Sequence, residues 1–188
     1  MSICIFPGTF NPIHEGHLKM AQFTLKNYKF DKIIFIPSYL PPHKEINNNL
    51  ARHRYKMVEL AAGGNPKFEV SDIEYREEGK SYSHITVKKI IEQYNIKGRL
   101  NFIIGTDAFE KLDTWYRAGE LKDLVHFIVF PRRGDNINYD EFKQNDWDFE
   151  IAGMEYVDIS STEIRNGIKT GETKEVEEYI EKHGLYKD

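Results

Sequence analysis

Only one cysteine, Cys4, occurs in the 188 residues, and it lies in an apolar first segment. One thiol can build neither a disulfide framework nor a thiolate metal cluster, and a reducing compartment is the simpler expectation. Excess positive charge is also lacking: 26 Lys and Arg stand against 30 Asp and Glu, for a formal net charge of −4 and a pI of about 6.0. That balance argues against broad attraction to nucleic acid or anionic lipid, so any phosphate site must be local. No apolar run approaches the ~20 residues needed to span a bilayer, and the opening Met-Ser-Ile-Cys-Ile-Phe-Pro has no basic leader with a long apolar core. These absences lead to the expectation of a cytoplasmic protein that engages neither nucleic acid nor membrane. Internal repeats, low-complexity tracts and a convincing domain boundary are missing too, which predicts one domain over residues 1–188. Tryptophan is scarce, with two residues against 11 Tyr and 12 Phe, and most of these aromatics read as core.

What is present is an alternation. Short runs rich in Ile, Val and Phe occur at Ile3–Phe6, Ile33–Ile36, Phe68–Val70, Leu100–Ile104 and Phe127–Phe130, with a weaker one at Tyr156–Ile159. Between them lie stripes with helical spacing: Leu18, Ala21 and Leu25; then Ala51, Tyr55, Val58 and Ala62; then Val87, Ile90, Ile91 and Tyr94. Strands alternating with helices predict an α/β chain, a doubly wound parallel sheet with helices on both faces. Ligands of such sheets gather beyond the carboxyl ends of the strands. Ser38–Asn49, with Pro41-Pro42 and an Asn triplet, reads as a surface loop long enough to move over a site. Asn136–Asp148 reads as an irregular insertion before the last strand, and Glu175–Tyr186 as a final helix with Val176 and Ile180 inward.

The first run ends in Pro7-Gly8-Thr9-Phe10-Asn11-Pro12-Ile13-His14-Glu15-Gly16-His17, after which a helix begins. A strand–loop–helix turn leaves free backbone N–H groups and the positive end of a helix facing the crevice, where an anion belongs. Gly8 can let a phosphate come close to the backbone. His14 and His17, three residues apart, can share a face and donate from their rings. A zinc pair is disfavoured, because His-Glu-x-x-His spacing and a third ligand are both lacking; the histidines could also be capping or packing residues. Neither G-x-G-x-x-G nor the phosphate loop G-x-x-x-x-G-K-[ST] is present. Near the carboxyl end, Ile159-Ser160-Ser161-Thr162-Glu163-Ile164-Arg165 contains a capping box in Ser160 and Glu163. Arg165, one turn in, can point back to the free N–H groups of Ser161 and Thr162, and a triphosphate would fit there.

The segment Gly8–His17 resembles the signature of the nucleotidylyltransferase superfamily, G-x-F-x-P-x-H-x-G-H after the first strand, and Ile159–Arg165 resembles its I-S-S-T-x-I-R element. The resemblance implies a Rossmann-like fold, with His14, His17 and Arg165 catalytic and Gly8, Thr9, Phe10, His14, Gly16, His17, Ser161, Thr162 and Arg165 around ATP. The middle of the chain is similar to the bacterial nicotinate-nucleotide adenylyltransferases at Pro41-Pro42-His43-Lys44, at Gly79-Lys80-Ser81-Tyr82-Ser83, and at Ile104-Gly105-Thr106-Asp107 followed by Leu112 and Trp115. For that family the resemblance implies that Trp115 stacks on the nicotinate ring and that backbone N–H groups near Ser83, His84 and Tyr116 hold its carboxylate. It further implies that Asp107 accepts from sugar hydroxyls or positions its loop and that Lys44 reaches phosphate. The chain departs from the pattern twice. Ser83-His84-Ile85-Thr86 stands where the family often has Thr-x-Asp-Thr, and Pro131-Arg132-Arg133-Gly134 stands for the common Arg-Pro-Gly, leaving Arg132 or Arg133 for the mononucleotide phosphate.

The reaction so implied joins ATP, with Mg²⁺ bridging its phosphates, to nicotinic acid mononucleotide, giving deamido-NAD and pyrophosphate. A phosphate monoester is largely ionised at neutral pH, so alignment and electrostatics carry the work. Transfer to nicotinamide mononucleotide or phosphopantetheine, or ATP binding without catalysis, are the alternatives. A homo-oligomer is left open.

Overall fold

The computed structural model describes residues 1–77 and 79–187. Six parallel strands form one sheet in the order β3-β2-β1-β4-β5-β6. They are β1 (Ile3–Gly8), β2 (Lys32–Pro37), β3 (Phe68–Val70), β4 (Leu100–Gly105), β5 (Val125–Phe130) and β6 (Phe149–Ile151). The long helices are α1 (Glu15–Tyr28), α2 (Ala51–Ala62), α3 (Ser83–Gln93) and, at the carboxyl end, α8 (Lys174–His183). Shorter ones are α4 (Thr106–Phe109), α5 (Ala118–Leu124), α6 (Tyr139–Gln144) and α7 (Ser161–Arg165). The doubly wound α/β sheet expected from the alternation is therefore the fold.

Each inner strand splits its side chains between two cores, because successive residues point to opposite faces. Ile5, Ile34, Phe102, Ile104 and Phe127 pack on one side with Val87 and Ile90 of α3 and Leu121 of α5. Cys4, Phe6, Phe35, Ile103 and Ile128 pack on the other with Ala21, Met57, Val58 and Val176. Burial on both faces is why these strands read as continuous apolar runs. The order reverses between β1, which continues to β2, and β4, which continues to β5. This switch point opens a crevice beyond Gly8 and Gly105, the last residues of β1 and β4.

Two expectations need correction. Tyr156–Ile159 is not a strand: the sixth strand is Phe149–Ile151, paired from Phe127↔Phe149 to Val129↔Ile151. Tyr156 is exposed, and a tight turn bonds the Ile159 N–H to the Val157 carbonyl at 2.9 Å, a pattern incompatible with a ladder. Nor is Asn136–Asp148 irregular. It folds into α6, which buries Phe142, while Trp147 behind it is buried and donates Nε1–H to Asp113 at 2.9 Å. Six residues are too few to show a helical period. The final helix begins one residue before the expected span and stops at Gly184, whose φ of 60° is the left-handed C-terminal stop favoured by glycine.

Candidate active site

The loop after β1 places both histidines at the start of α1, and each accepts a backbone proton. Nδ1 of His14 accepts from the Gly16 N–H at 3.1 Å, and Nδ1 of His17 accepts from the His14 N–H at 3.1 Å. They cap the helix, as a bland reading of the sequence allows. Capping also has a chemical consequence: with Nδ1 accepting, the proton of each neutral ring must sit on Nε2. The rings stack with centroids 3.7 Å apart, and Nε2 of His14 is buried with no hydrogen-bond partner. Burial and the nearby Arg132 charge push the His14 pKa down to about 4. Desolvation, His14, Arg132 and Lys44 hold His17 well below its ordinary value. Both are neutral Nε2–H donors at pH 7.

The two glycines of this turn make room for side chains. A Cβ on Gly16 would lie 2.9 Å from the His14 ring, so this glycine lets the imidazole fold over the helix start. A Cβ on Gly8 would meet the Phe10 ring at 2.8 Å. The space on the Cβ side of Gly8 is thus filled by an aromatic ring, a packing reason for glycine at this position. Phe10 is buried, with its ring 5.4 Å from Phe6 and 5.1 Å from His17. Its side chain packs into the core beneath the turn, with Ile13 in the same cluster.

The second turn meets the first. The Ser161 hydroxyl donates to the Pro12 carbonyl at 2.9 Å, and Arg165 Nη1 donates to the Asn11 carbonyl at 2.7 Å. Nη2 of Arg165 folds back to the Thr162 hydroxyl at 3.2 Å. The expected capping box forms only in half: Ser160 Oγ accepts from the Glu163 N–H at 3.2 Å, while the Glu163 carboxylate takes the Ser160 hydroxyl at 2.8 Å instead of the Ser160 backbone N–H. His14, His17, Ser161, Thr162 and Arg165 are therefore neighbours. Lys44 joins them from the loop after β2: desolvation together with the charges of Arg165 and Arg132 lowers its pKa, although its side chain reaches solvent.

Across the crevice, Asp107 in the first turn of α4 pairs with Arg132 Nη1 at 2.8 Å. Arg132 thus faces the histidines and Lys44, whereas the charge of Arg133 acts on Asp158. Of the two arginines left open by the sequence, Arg132 is the one in the crevice. Ser83 opens α3, where buried His84 lies edge-on to Tyr116 with centroids 6.2 Å apart. His84 Nε2 also stands 3.0 Å from Glu120. Tyr116 is exposed beside Tyr82 at 4.6 Å, and Trp115 is half-buried against Phe102 at 6.2 Å. His84 and Tyr116 thus meet, with Tyr82 beside Tyr116 and Ser83 next to His84 in the chain, whereas the Trp115 ring packs on the core at Phe102.

Sequence reasoning missed Arg54, which is fully buried. Its Nη1 donates to the carbonyls of Thr9 at 2.8 Å and Ser38 at 2.7 Å, and Nη2 to that of Tyr39 at 3.0 Å. The Tyr39 and Leu40 N–H groups bond to Ser81 Oγ at 3.1 and 3.2 Å. The root of the Lys44 loop is thereby fastened to the first turn on one side and to the start of the α3 segment on the other. A signal existed: Arg54 sits three residues after Ala51 and four before Val58, on the apolar stripe of α2. Tyr186 was missed as well; its hydroxyl reaches Asn11 Oδ1 at 2.6 Å.

A parallel sheet whose switch point carries two stacked imidazoles, a folded-back arginine and a lysine defines a nucleotidyl-transfer site, and the family model described as cytidylyltransferase-like matches residues 5–167. A relative from Fusobacterium nucleatum, named "Probable nicotinate-nucleotide adenylyltransferase", is 43% identical over 97% of this chain and 98% of its own. One of the same name from Staphylococcus epidermidis is 38% identical over 99% and 97%. The chain belongs to the nicotinate-nucleotide adenylyltransferases, enzymes of the cytidylyltransferase-like family. The solved Plasmodium falciparum nicotinic acid mononucleotide adenylyltransferase, complexed with NaAD, shares the fold with a TM-score of 0.80 at 21% identity, over 98% of this chain and 97% of that one.

Proposed function

We propose that this protein, as one domain spanning residues 1–188 and working in the cytoplasm, transfers the adenylyl group of ATP to nicotinic acid mononucleotide. A 5′-phosphate oxygen of the mononucleotide attacks the α-phosphorus of ATP. The new P–O bond replaces the bond to the β-phosphate bridge, and pyrophosphate leaves with that electron pair. The nucleophile needs no strong general base, since the second pKa of a phosphate monoester is about 6.

The observation that carries this reading is the meeting of the two turns, which gathers the His14 and His17 donors with Arg165 and Lys44. Neutral imidazoles held as Nε2–H donors suit charge that builds on phosphate oxygens during transfer. In this reading the backbones of Gly8, Thr9, Phe10 and Gly16 line the adenylate side, and Ser161, Thr162 and Arg165 take the triphosphate. Arg132 takes the mononucleotide phosphate, and Asp107 holds Arg132 or accepts from a ribose hydroxyl. Trp115 stacks on the pyridine ring, and N–H groups at Ser83, His84 and Tyr116 face its carboxylate, which favours acid over amide because donors without acceptors suit an anion. Mg²⁺ belongs to the substrate, as MgATP. Among the described residues no three His, Cys, Asp or Glu side chains converge on one point, and the crevice is lined mainly by cations and imidazoles, a donor set suited to phosphate oxygens rather than to a resident metal.

Pyrophosphate release with nicotinic acid mononucleotide, nicotinamide mononucleotide and phosphopantetheine as acceptors tests the proposal. The highest kcat/KM is expected with nicotinic acid mononucleotide. A higher value with either other acceptor, or ATP binding without turnover on all three, would contradict it.

A further inference from the structure

Arg132 lies in the turn after β5, outside the two signature segments in the sequence, and its guanidinium has to stand in the crevice to meet a phosphate. The turn itself is well specified. Asp135 N–H bonds back to the Arg132 carbonyl at 3.2 Å, and Gly134 takes a φ of 84°, the conformation that position of a tight turn reserves for glycine. The Asp135 carboxylate then closes the loop in the other direction by accepting the Arg132 backbone N–H at 2.5 Å. The same carboxylate oxygen accepts the hydroxyl of Thr106, a buried residue that begins α4. One residue on, Asp107 holds the Arg132 guanidinium at 2.8 Å. The first two residues of α4 thus grip the turn after β5 at two side chains, Thr106 at the Asp135 carboxylate and Asp107 at the Arg132 guanidinium.

We infer that Asp135, anchored by Thr106, is a positioning residue that sets the direction of Arg132 and thereby the affinity of the site for the 5′-phosphate of the mononucleotide. Asp135 does not itself meet the substrate: a carboxylate facing a phosphate would repel it. Its hydroxyl and N–H partners fix the backbone from which Arg132 projects. Once that backbone is loose, Arg132 is free to settle wholly on Asp107 or to swing to solvent, and the cost of reordering it on binding rises. The inference rests on the reading of Arg132 as the mononucleotide phosphate ligand.

The test uses the full chain and calorimetric Kd values for nicotinic acid mononucleotide alone, which need no turnover, with thermal unfolding recorded in parallel. Arg132→Ala and Asp135→Ala are each expected to weaken binding about tenfold or more, the first by loss of a charged phosphate ligand and the second by loss of the acceptor that both the Arg132 N–H and the Thr106 hydroxyl use. Thr106→Val should weaken it in the same direction, and Thr106→Ser, which keeps the hydroxyl, should recover most of the loss. The decisive arm is the double variant: with Arg132 already removed, Asp135→Ala should change Kd by less than about twofold, because it acts through the arginine. A general structural effect would lower Kd-derived affinity equally in both backgrounds, and that result overturns the inference. Unchanged binding in Asp135→Ala alongside weakened binding in Arg132→Ala overturns it too, while leaving the role of Arg132 standing. Unchanged binding in Arg132→Ala removes both. The acceptor assay on the unsubstituted chain separately decides the reaction itself.

Discussion

The Ser161 hydroxyl donates to the carbonyl of Pro12 at 2.9 Å across 149 positions of sequence. That bond, with Arg165 on the neighbouring Asn11 carbonyl, joins the turn after β1 and the start of α7 into one wall. Ser161→Ala is expected to lower stability by about 1 kcal/mol, the net worth of one hydrogen bond, and to raise the KM for MgATP severalfold as the second turn loosens. Denaturant unfolding and steady-state kinetics measure both. A loss of stability with KM unchanged would show that the contact serves folding alone.

Gly16→Ala isolates the packing of His14. The added methyl would lie 2.9 Å from the imidazole, whose ring is wedged against His17 and has little freedom to retreat. We expect kcat to fall by about tenfold or more, because displacement of a donor by a fraction of an ångström is felt mainly in the transition state. The KM values should move less than kcat. Activity within twofold of normal would mean that the ring position is not critical.

Acid should destabilise the protein through His14. Its folded pKa of about 4 lies below the ordinary 6.5, so as pH falls the unfolded chain takes up the proton first. Stability is full above 6.5, declines between 6.5 and about 4, and loses no more from this group below that. Over that window the loss amounts to about 3 kcal/mol, at about 1.4 kcal/mol per pH unit. Unfolding free energy measured from pH 7 to 4 should therefore slope downward, and His14→Asn, which keeps an acceptor at the helix start, should make the slope shallower, the share of His17 with its lowered pKa remaining. An unaltered slope in that variant would locate the acid sensitivity elsewhere.

Much of the fold was legible because it is local. Five of the six strands announce themselves as apolar runs, the four inner ones because burial on both faces leaves few polar positions and edge strand β3 by Phe68 and Val70 around Glu69, and the helices show their stripes. The histidine and arginine turns were legible for the same reason, as each lies within about ten consecutive residues. Phe149–Ile151 was not, because three residues at a sheet edge carry no period and Tyr156–Ile159 offers a more apolar decoy. Arg54 and Tyr186 escaped notice because their partners are far along the chain: Tyr186 meets Asn11 across 175 positions. Gly134 marks the turn beside Asp135, but the Thr106 hydroxyl that anchors its carboxylate comes from 29 positions away.

Arg54 offers the sharpest test of those long-range contacts. Arg54→Met keeps the apolar stem in the α2 stripe but leaves the carbonyls of Thr9, Ser38 and Tyr39 without their shared donor. Buried acceptors stripped in this way cost about 1–3 kcal/mol each before relaxation, so a net loss of roughly 2–4 kcal/mol is expected. Chemical denaturation measures it. A loss below about 1 kcal/mol would mean that water or a rearranged loop replaces the guanidinium with ease.

The most direct measurement is kcat for pyrophosphate release by His17→Ala, with ATP and nicotinic acid mononucleotide both saturating and folding verified by thermal unfolding. His17 is fixed by the His14 N–H with its Nε2 proton free to meet phosphate, so removing it should lower kcat by about 10²–10³, the effect of losing one aligned donor. A fall of less than threefold in a folded variant would contradict the account.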